Sequence, residues 1–315
     1  MPGVPARAAP ALPLGLGLAV LSALSFGLSG PFAKALIDAG WSAGGAVLVR
    51  LGGAAVVLAL VLAAVRPGVV AAVRADGLAL LLYGVLAMAG VQVAFFNAVR
   101  YMPVSVALLL EYLGPIVVIG WVWLVRRQPP SPRTLLGGVV AMLGLTLVVE
   151  VWTGVGLRWE GVAWGLLAAA CQASYFLVAD RAGATTPPLV LAGVGMGVGV
   201  MTVALLGLVG LLPVVVDVAA APVLLGGADI GWPAAAVVLV LVSTVFAYLT
   251  GVAAIARIGA SRGSLVALLE VVASAVASWL LLAEVPSAMQ VAGGVLILAG
   301  VVLTRSARPA AVAAV

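Results

Sequence analysis

The sequence predicts an all-α integral membrane protein of ten transmembrane helices, built as two inverted five-helix repeats with N- and C-termini cytoplasmic. Three observations predict it. The chain has 315 residues, 65% hydrophobic and only 8% charged, about a third of the charge density of a soluble domain. That leaves too little polar surface to cover a water-soluble fold, and it is the opposite of a disordered composition. The basic residues gather on alternate sides of the apolar runs, and part of the first half recurs in the second.

Windows near the ~20 residues that span a ~30 Å hydrocarbon core fall at 12–36, 42–65, 77–99, 104–125, 134–150, 161–180, 187–212, 233–256, 262–283 and 287–304. The first is too long for a signal-peptide core and carries no cleavage site, so it is expected to be retained. With the N-terminus inside, the cytoplasmic side collects Arg7, Arg66, Arg74, Arg126, Arg127, Arg133, Arg181, Arg257, Arg262, Arg305 and Arg308. The outer side receives Lys34, Arg100 and Arg158, and Arg50 falls within a window. Eleven against three is a strong positive-inside bias. Asp38, Glu150, Glu160, Asp217, Asp229 and Glu284 all fall outside. Trp41, Trp152, Trp159 and Trp232 lie near outer helix ends, as an aromatic belt would. The longest outer loop, 213–232, is too apolar to be a domain. The formal charge of +5 therefore reports topology in a lipid bilayer and does not point to nucleic acid.

The repeat is read from RYMPVSVALLLEYLGP in the first half and RIGASRGSLVALLEVVAS in the second. Glu111 aligns with Glu270 and Ser105 with Ser264. After a three-residue slip, Gly137-Gly138 aligns with Gly293-Gly294 and Gly144 with Gly300. Ser25-Phe26 matches Ser174-Tyr175 in the opening helices. The expected domains are a cytoplasmic tail over 1–11, a first repeat over 12–150 and a periplasmic linker over 151–160. A second repeat over 161–304 and a cytoplasmic tail over 305–315 follow. Five spans per half is odd, so the second half enters the membrane upside down. Such repeats place a binding site near the midplane, between the halves, and allow alternating access by rocking.

Charges inside apolar helices cost about 2.5–3.5 kcal/mol each on insertion scales, so their presence is informative. Arg50, Glu111 and Glu270 are the three. Arg50 lies eight residues in from Ser42 and Glu111 eight in from Pro103, both about 12 Å deep from the outer side by helical rise. The matching depth allows an Arg50–Glu111 pair, as a binding site or as a structural lock. Glu270 lies eight in from Arg262 at the cytoplasmic end and mirrors Glu111. Helix 7 offers no charge to mirror Arg50, so Glu270 lacks a basic partner and is a candidate proton carrier. Gln92, Asn97, Tyr112, Gln172, Tyr175, Tyr248 and Thr250 form a second tier for the substrate pathway, with interhelical hydrogen bonding as the plainer account. Gln92 and Asn97 cannot share one narrow face, and Tyr112 points about 100° away from Glu111. Pro31 and Pro115 are expected to kink helices 1 and 4.

The chain has no His and a single cysteine, Cys171, read as a small apolar packer. This removes a disulfide framework, a Cys/His zinc site and any imidazole triad. No cofactor or metal is expected. Gly193, Gly195, Gly197 and Gly199 alternate inside helix 7 with no preceding strand, so they read as helix packing and not as a nucleotide loop. A membrane-embedded enzyme would need paired Asp, a Ser with a base or an acidic metal motif, and none is present. A channel or scaffold is the other rival, separated from a transporter by saturable uptake or counterflow.

The runs LLYGVLAMAGVQVAFFNAVRYMPVSVALLLEYLGPIVVI, EGVAWGLLAAACQASYFLVADRAG and STVFAYLTGVAAIARIGASRGSLVALLEVVASAVASWLLLAE resemble the ten-helix EamA branch of the drug/metabolite transporter superfamily. The resemblance covers about 12–304. LLLEYLGP around Glu111 and VADRAG at the end of helix 6 are most like the threonine/homoserine exporters. The resemblance implies an inner-membrane secondary transporter that exports a small metabolite, an amino acid first, driven by protons or by the solute gradient. Cationic drugs are the competing substrate class: they favour an unpaired Glu among aromatics, whereas Arg50 favours a solute with an anionic group. One residue departs from the pattern. Val271 stands where the family places Pro after the second Glu, so the helix-9 break is expected to be absent. Substrate, direction, coupling and oligomeric state are not encoded in any motif.

Overall fold

Runs rich in Val and Leu are ambiguous in water, because β-branched residues favour strands. Lipid offers no solvent to satisfy backbone N–H and C=O groups, so the same runs close their own hydrogen bonds as helices. The computed structural model describes residues 11–65, 68–98, 101, 110–149, 158–182, 185–219, 223–283, 285 and 287–305. Nearly all of these are helical, apart from connecting loops and a small hairpin, Leu224–Leu225 against Ala228–Asp229, in the long outer segment. Outside them lie the expected helix-4 start at 104–109, the linker at 151–157, and Arg7, Arg66, Arg100, Pro103, Ser105, Glu150, Trp152, Glu284 and Arg308.

The first half comprises α1 (Ala11–Gly27), α2 (Ser29–Asp38), α3 (Ala43–Val65), α4 (Val69–Leu82), the π-helix π1 (Tyr83–Gly90), α5 (Val91–Ala98), α6 (Gly114–Leu124) and α7 (Pro132–Val149). The second comprises α8 (Trp159–Ala182), α9 (Pro188–Leu208), α10 (Gly231–Val240), π2 (Leu241–Phe246), α11 (Ala247–Ile258), α12 (Ala260–Ala267), α13 (Leu269–Leu282) and α14 (Ala288–Arg305). Among the described residues, seven continuous runs are long and apolar enough to cross a membrane, and Gly114–Leu124, Pro132–Leu147 and Ala288–Leu303 are shorter apolar helices. Large side chains such as Leu124, Leu208 and Leu280 lie exposed around the outside, the inverse of a soluble surface.

Interruptions of these runs follow from local chemistry. Pro31 has no N–H to give Gly27, and Pro115 has none to give Glu111. The first run accordingly breaks at Leu28, between α1 and α2, and the fourth at Tyr112–Leu113, ahead of α6. Leu113 N–H turns back to Leu110 O at 3.1 Å, a tighter 3₁₀ closure. The ninth run also breaks, at Leu268, which corrects the expectation drawn from Val271. Leu268 N–H reaches Leu265 O and Val271 N–H reaches Leu268 O, both at 3.2 Å. The turn forms with no proline present, and Leu265 and Leu268 are both buried there. At Asp76 the backbone leaves helical geometry (φ −125°, ψ 23°), so a short helix from Val69 meets the third run next to its expected start at 77; the Asp76 carboxylate accepts Thr185 and Thr186 hydroxyls at 2.7 Å each.

Packing relates the two halves by exchange. α1 packs on α11 and α13, while α8 packs on π1, α5 and α6; α3 meets α9, and α7 meets α14. The last contact shows the relation at residue level. A Cβ on Gly144 would sit 2.5 Å from Gly293 O, and one on Gly300 would sit 2.5 Å from Gly137 O. Since Gly137 and Gly144 are the repeat counterparts of Gly293 and Gly300, the two close approaches are one contact seen from both sides of a two-fold axis. The helices run antiparallel, with backbones close because the side chains are absent. In helix 7 the glycines pack likewise: Gly193 on Leu58 and Leu62, Gly195 on Tyr83, and Gly199 on Met88. Trp41 departs from the expected belt. It is buried, and its indole donates to Asp217 O at 2.7 Å, tying the 213–219 segment to the start of α3.

Candidate substrate site between the two halves

The interruptions and the two π segments surround one cavity of about 120 Å³, lined from both halves. α1 contributes Ala19, Ser22, Ala23 and Phe26; α3 contributes Arg50; π1 and α5 contribute Ala87, Val91 and Gln92. Glu111 stands just before the break ahead of α6. From the second half come Gln172, Tyr175 and Phe176 on α8, then Tyr248, Gly251, Ala254 and Ile255 on α11. Gly263 and Ala267 on α12 and Glu270 on α13 close the wall. Repeat counterparts thus face each other: Ala23 with Gln172, Phe26 with Tyr175, and Glu111 with Glu270.

Each charge has a specific setting. Glu270 occupies the first turn of α13, where unpaired helix N–H groups favour a carboxylate. The Tyr112 hydroxyl, buried behind the wall, lies within hydrogen-bonding reach of it. Glu111 Oε1 accepts from Gln172 Nε2 at 3.3 Å, a bond between the halves. Arg50 is not ion-paired with Glu111 among the described residues. Its Nε donates to Thr244 Oγ1 at 2.9 Å and its Nη2 to Ser243 O at 3.3 Å, both on π2. Arg50 and Glu270 nevertheless line the same cavity, so Glu270 does have a basic neighbour. Among the described residues, two carboxylates and one guanidinium therefore line the same cavity, an arrangement that matches a solute carrying both signs of charge.

Aromatic rings form the rest of the wall. Phe26 and Tyr248 meet edge to face at 4.7 Å, and Tyr175 stands 5.7 Å from Tyr248 and 5.8 Å from Tyr83. The Tyr175 hydroxyl is buried without a hydrogen-bond partner among the described residues. It fits because residue 251 is Gly: a Cβ there would lie 2.3 Å from that oxygen and 2.7 Å from Ser22 Oγ. Of the residues expected from sequence, Glu111, Arg50, Glu270, Gln92, Gln172, Tyr175 and Tyr248 line the cavity and Tyr112 backs it. Asn97 does not join them; its side chain turns to Val93 O at 2.9 Å on its own helix. Pro31 and Pro115 act through the backbone, and the Thr250 hydroxyl is taken up by Phe246 O and Ala247 O. Sequence reasoning missed Ser22, Gly251 and Thr244, small residues in apolar helices without charge or motif. For Phe26 the match to Tyr175 was the available signal.

Residues 13–150 and 159–306 each match the EamA-like transporter family. The chain belongs to that family. It is a multi-pass membrane protein with two EamA units. Among curated relatives, the threonine/homoserine exporter RhtA of Salmonella typhimurium (strain SL1344) is 30% identical over 193 residues, 61% of each chain. RhtA of Escherichia coli (strain K12) is 34% identical over 116 residues, 36% of this chain and 37% of that one. The uncharacterized inner membrane transporter YicL of Salmonella typhimurium (strain LT2) is 27% identical over 128 residues, 40% of this chain and 43% of that one. The alignments thus span from 37% to 61% of these relatives' lengths. A solved crystal structure shares the EamA fold at a TM-score of 0.66 and 19% identity, over 94% of this chain and 96% of that one.

Proposed function

We propose that the chain is an inner-membrane secondary transporter that exports a small α-amino acid, threonine or homoserine first, by alternating access between two inverted five-helix halves. In this reading the seven long spans and three shorter apolar helices make ten crossings, and both termini face the cytoplasm, as the positive-inside bias favours. The observation that carries the reading is the cavity itself: Arg50 and the mirror-related Glu111 and Glu270 converge on one space between the halves. The carboxylates receive the ammonium of an amino acid, and the free edge of Arg50 receives its carboxylate. The names of the RhtA relatives support the same class. At about 120 Å³ the space is well below the ~300–1,000 Å³ of a site for a drug-sized ligand. As the halves rock, the Glu111–Gln172 bond between them is remade and the site faces the other side.

One observation favours a second reading, export of organic cations: Glu111 has no ion pair among the described residues, and Phe26, Tyr175, Phe176 and Tyr248 line the same cavity, as aromatic rings that bind a cation would. Growth of an exporter-deficient bacterium expressing the chain separates the two. Under inhibitory threonine or homoserine, the wild type is expected to confer resistance that Glu111→Gln, at equal abundance, loses. Resistance confined to cationic drugs supports the second reading, and normal amino-acid resistance in Glu111→Gln removes that carboxylate from the site.

A further inference from the structure

The π turn in helix 8 has a chemical consequence at Arg50. In an α-helix a threonine hydroxyl bonds a carbonyl three or four residues back, as Thr250 does with Phe246 O and Ala247 O. Thr244, inside π2, reaches instead to Leu239 O, five residues back, at 2.7 Å. Its one hydroxyl proton is used there, so towards Arg50 it can only accept. The Arg50 Nε–H is the donor it accepts from, at 2.9 Å, and the adjacent carbonyl of Ser243 takes an Nη2 hydrogen at 3.3 Å. Thr244 and Ser243 are fully buried. A guanidinium has five N–H donors, and the three left over include one edge formed by Nη1 and Nη2. That edge is the one that grips a carboxylate with two parallel bonds.

We propose that Thr244 is a positioning residue for substrate selection: through its bond to Leu239 O it fixes the guanidinium of Arg50 so that the Nη1–Nη2 edge meets the carboxylate of an α-amino acid. The inference rests on the amino-acid reading of the cavity. π2 serves this geometry by shifting residue 244 out of α-helical register, in keeping with the frequent placement of π turns at functional sites. Thr244→Val keeps the shape and removes the acceptor. Thr244→Ser keeps the acceptor.

The test uses the full-length protein in proteoliposomes, with counterflow of labelled threonine and of 1-amino-2-propanol, the same molecule without its carboxylate. Wild type is expected to prefer threonine. Thr244→Val should raise the threonine KM about tenfold or more, the size of one hydrogen bond to a charged group, with the KM for the amine unchanged. Thr244→Ser should restore the preference, and thermal unfolding of both variants in detergent controls for folding. Equal KM changes for both solutes, or failure of Ser to rescue, overturns the role of Thr244. Arg50→Gln separates the levels: if it abolishes the preference while Thr244→Val does not, only the positioning role fails. If Arg50→Gln keeps the preference, or wild type carries neither solute, the amino-acid reading fails and this inference with it.

Discussion

A single methyl group at Gly144 or at Gly300 tests the two-fold relation between the halves. In Gly144→Ala the new Cβ would lie 2.5 Å from Gly293 O and 2.7 Å from Ile297 N. In Gly300→Ala it would lie 2.5 Å from Gly137 O and 2.6 Å from Ala141 N. Ordinary contact begins at 3.4 Å, so each variant is short by 0.9 Å (3.4 − 2.5) against backbone atoms that cannot rotate away. α7 and α14 must separate, and overpacking of this kind costs about 1–3 kcal/mol. Alanine returns up to about 1 kcal/mol of helix propensity, which Gly197→Ala measures alone because nothing lies within 4 Å of that position. Both interface variants are therefore expected to fall about 1–3 kcal/mol below Gly197→Ala and to agree with each other. Thermal unfolding in detergent, followed by a thiol-reactive dye on the buried Cys171, provides the assay without any engineered label. A difference above about 1 kcal/mol between Gly144→Ala and Gly300→Ala, or parity of either with Gly197→Ala, would refute the shared contact.

Two further predictions concern the site and its closure. Gly251→Ala pushes a methyl against the Tyr175 hydroxyl and Ser22 Oγ, both movable side-chain ends; it should raise the threonine KM in counterflow while changing stability by less than about 1 kcal/mol. The Arg126–Asp180 ion pair joins the end of α6 to the end of α8 across the two halves, with Asp180 largely buried and Arg126 about a third exposed. Asp180→Asn should cost about 1–2 kcal/mol after allowance for that exposure, and the swap of Arg126→Asp with Asp180→Arg should recover part of it in the same unfolding assay.

Most of the architecture was legible because the membrane reduces folding to one dimension. Run length located the apolar helices, and the glycine pairs around 137 and 293 pointed to the repeat. Depth was also legible: Arg50, Glu111 and Glu270 do share one cavity. Azimuth was not, because the direction a side chain takes around its helix depends on which neighbours pack there. Equal depth suggested an Arg50–Glu111 pair, yet Arg50 faces π2, and Thr244 carries no mark that distinguishes it from a packing threonine. The same limit explains Asn97, which lies in the right helix but bonds Val93 O. The Leu268 break was hidden for another reason, since it forms without the proline that marks Leu28 and Leu113.

The cavity also shows what duplication supplies and what it leaves to later change. Two copies of one fold related by a two-fold axis make a space whose walls are alike, and the facing pairs Phe26–Tyr175 and Glu111–Glu270 keep that likeness. Such a space by itself cannot orient a solute, because each end is equivalent to the other. The differences between the halves break the tie: Gln172 opposes Ala23, and Arg50 has no charged counterpart in helix 7. Gln172 adds an uncharged amide to the wall, and Arg50 adds a charge. Arg50 is in turn held by π2 of the opposite half, so this guanidinium joins the two halves. A solute with an ammonium at one end and a carboxylate at the other is the kind that an even shape with uneven charge can bind in a single orientation. In the proposed amino-acid reading, that orientation is set by residues on both sides of the axis, so binding draws the halves together and release gives those bonds up.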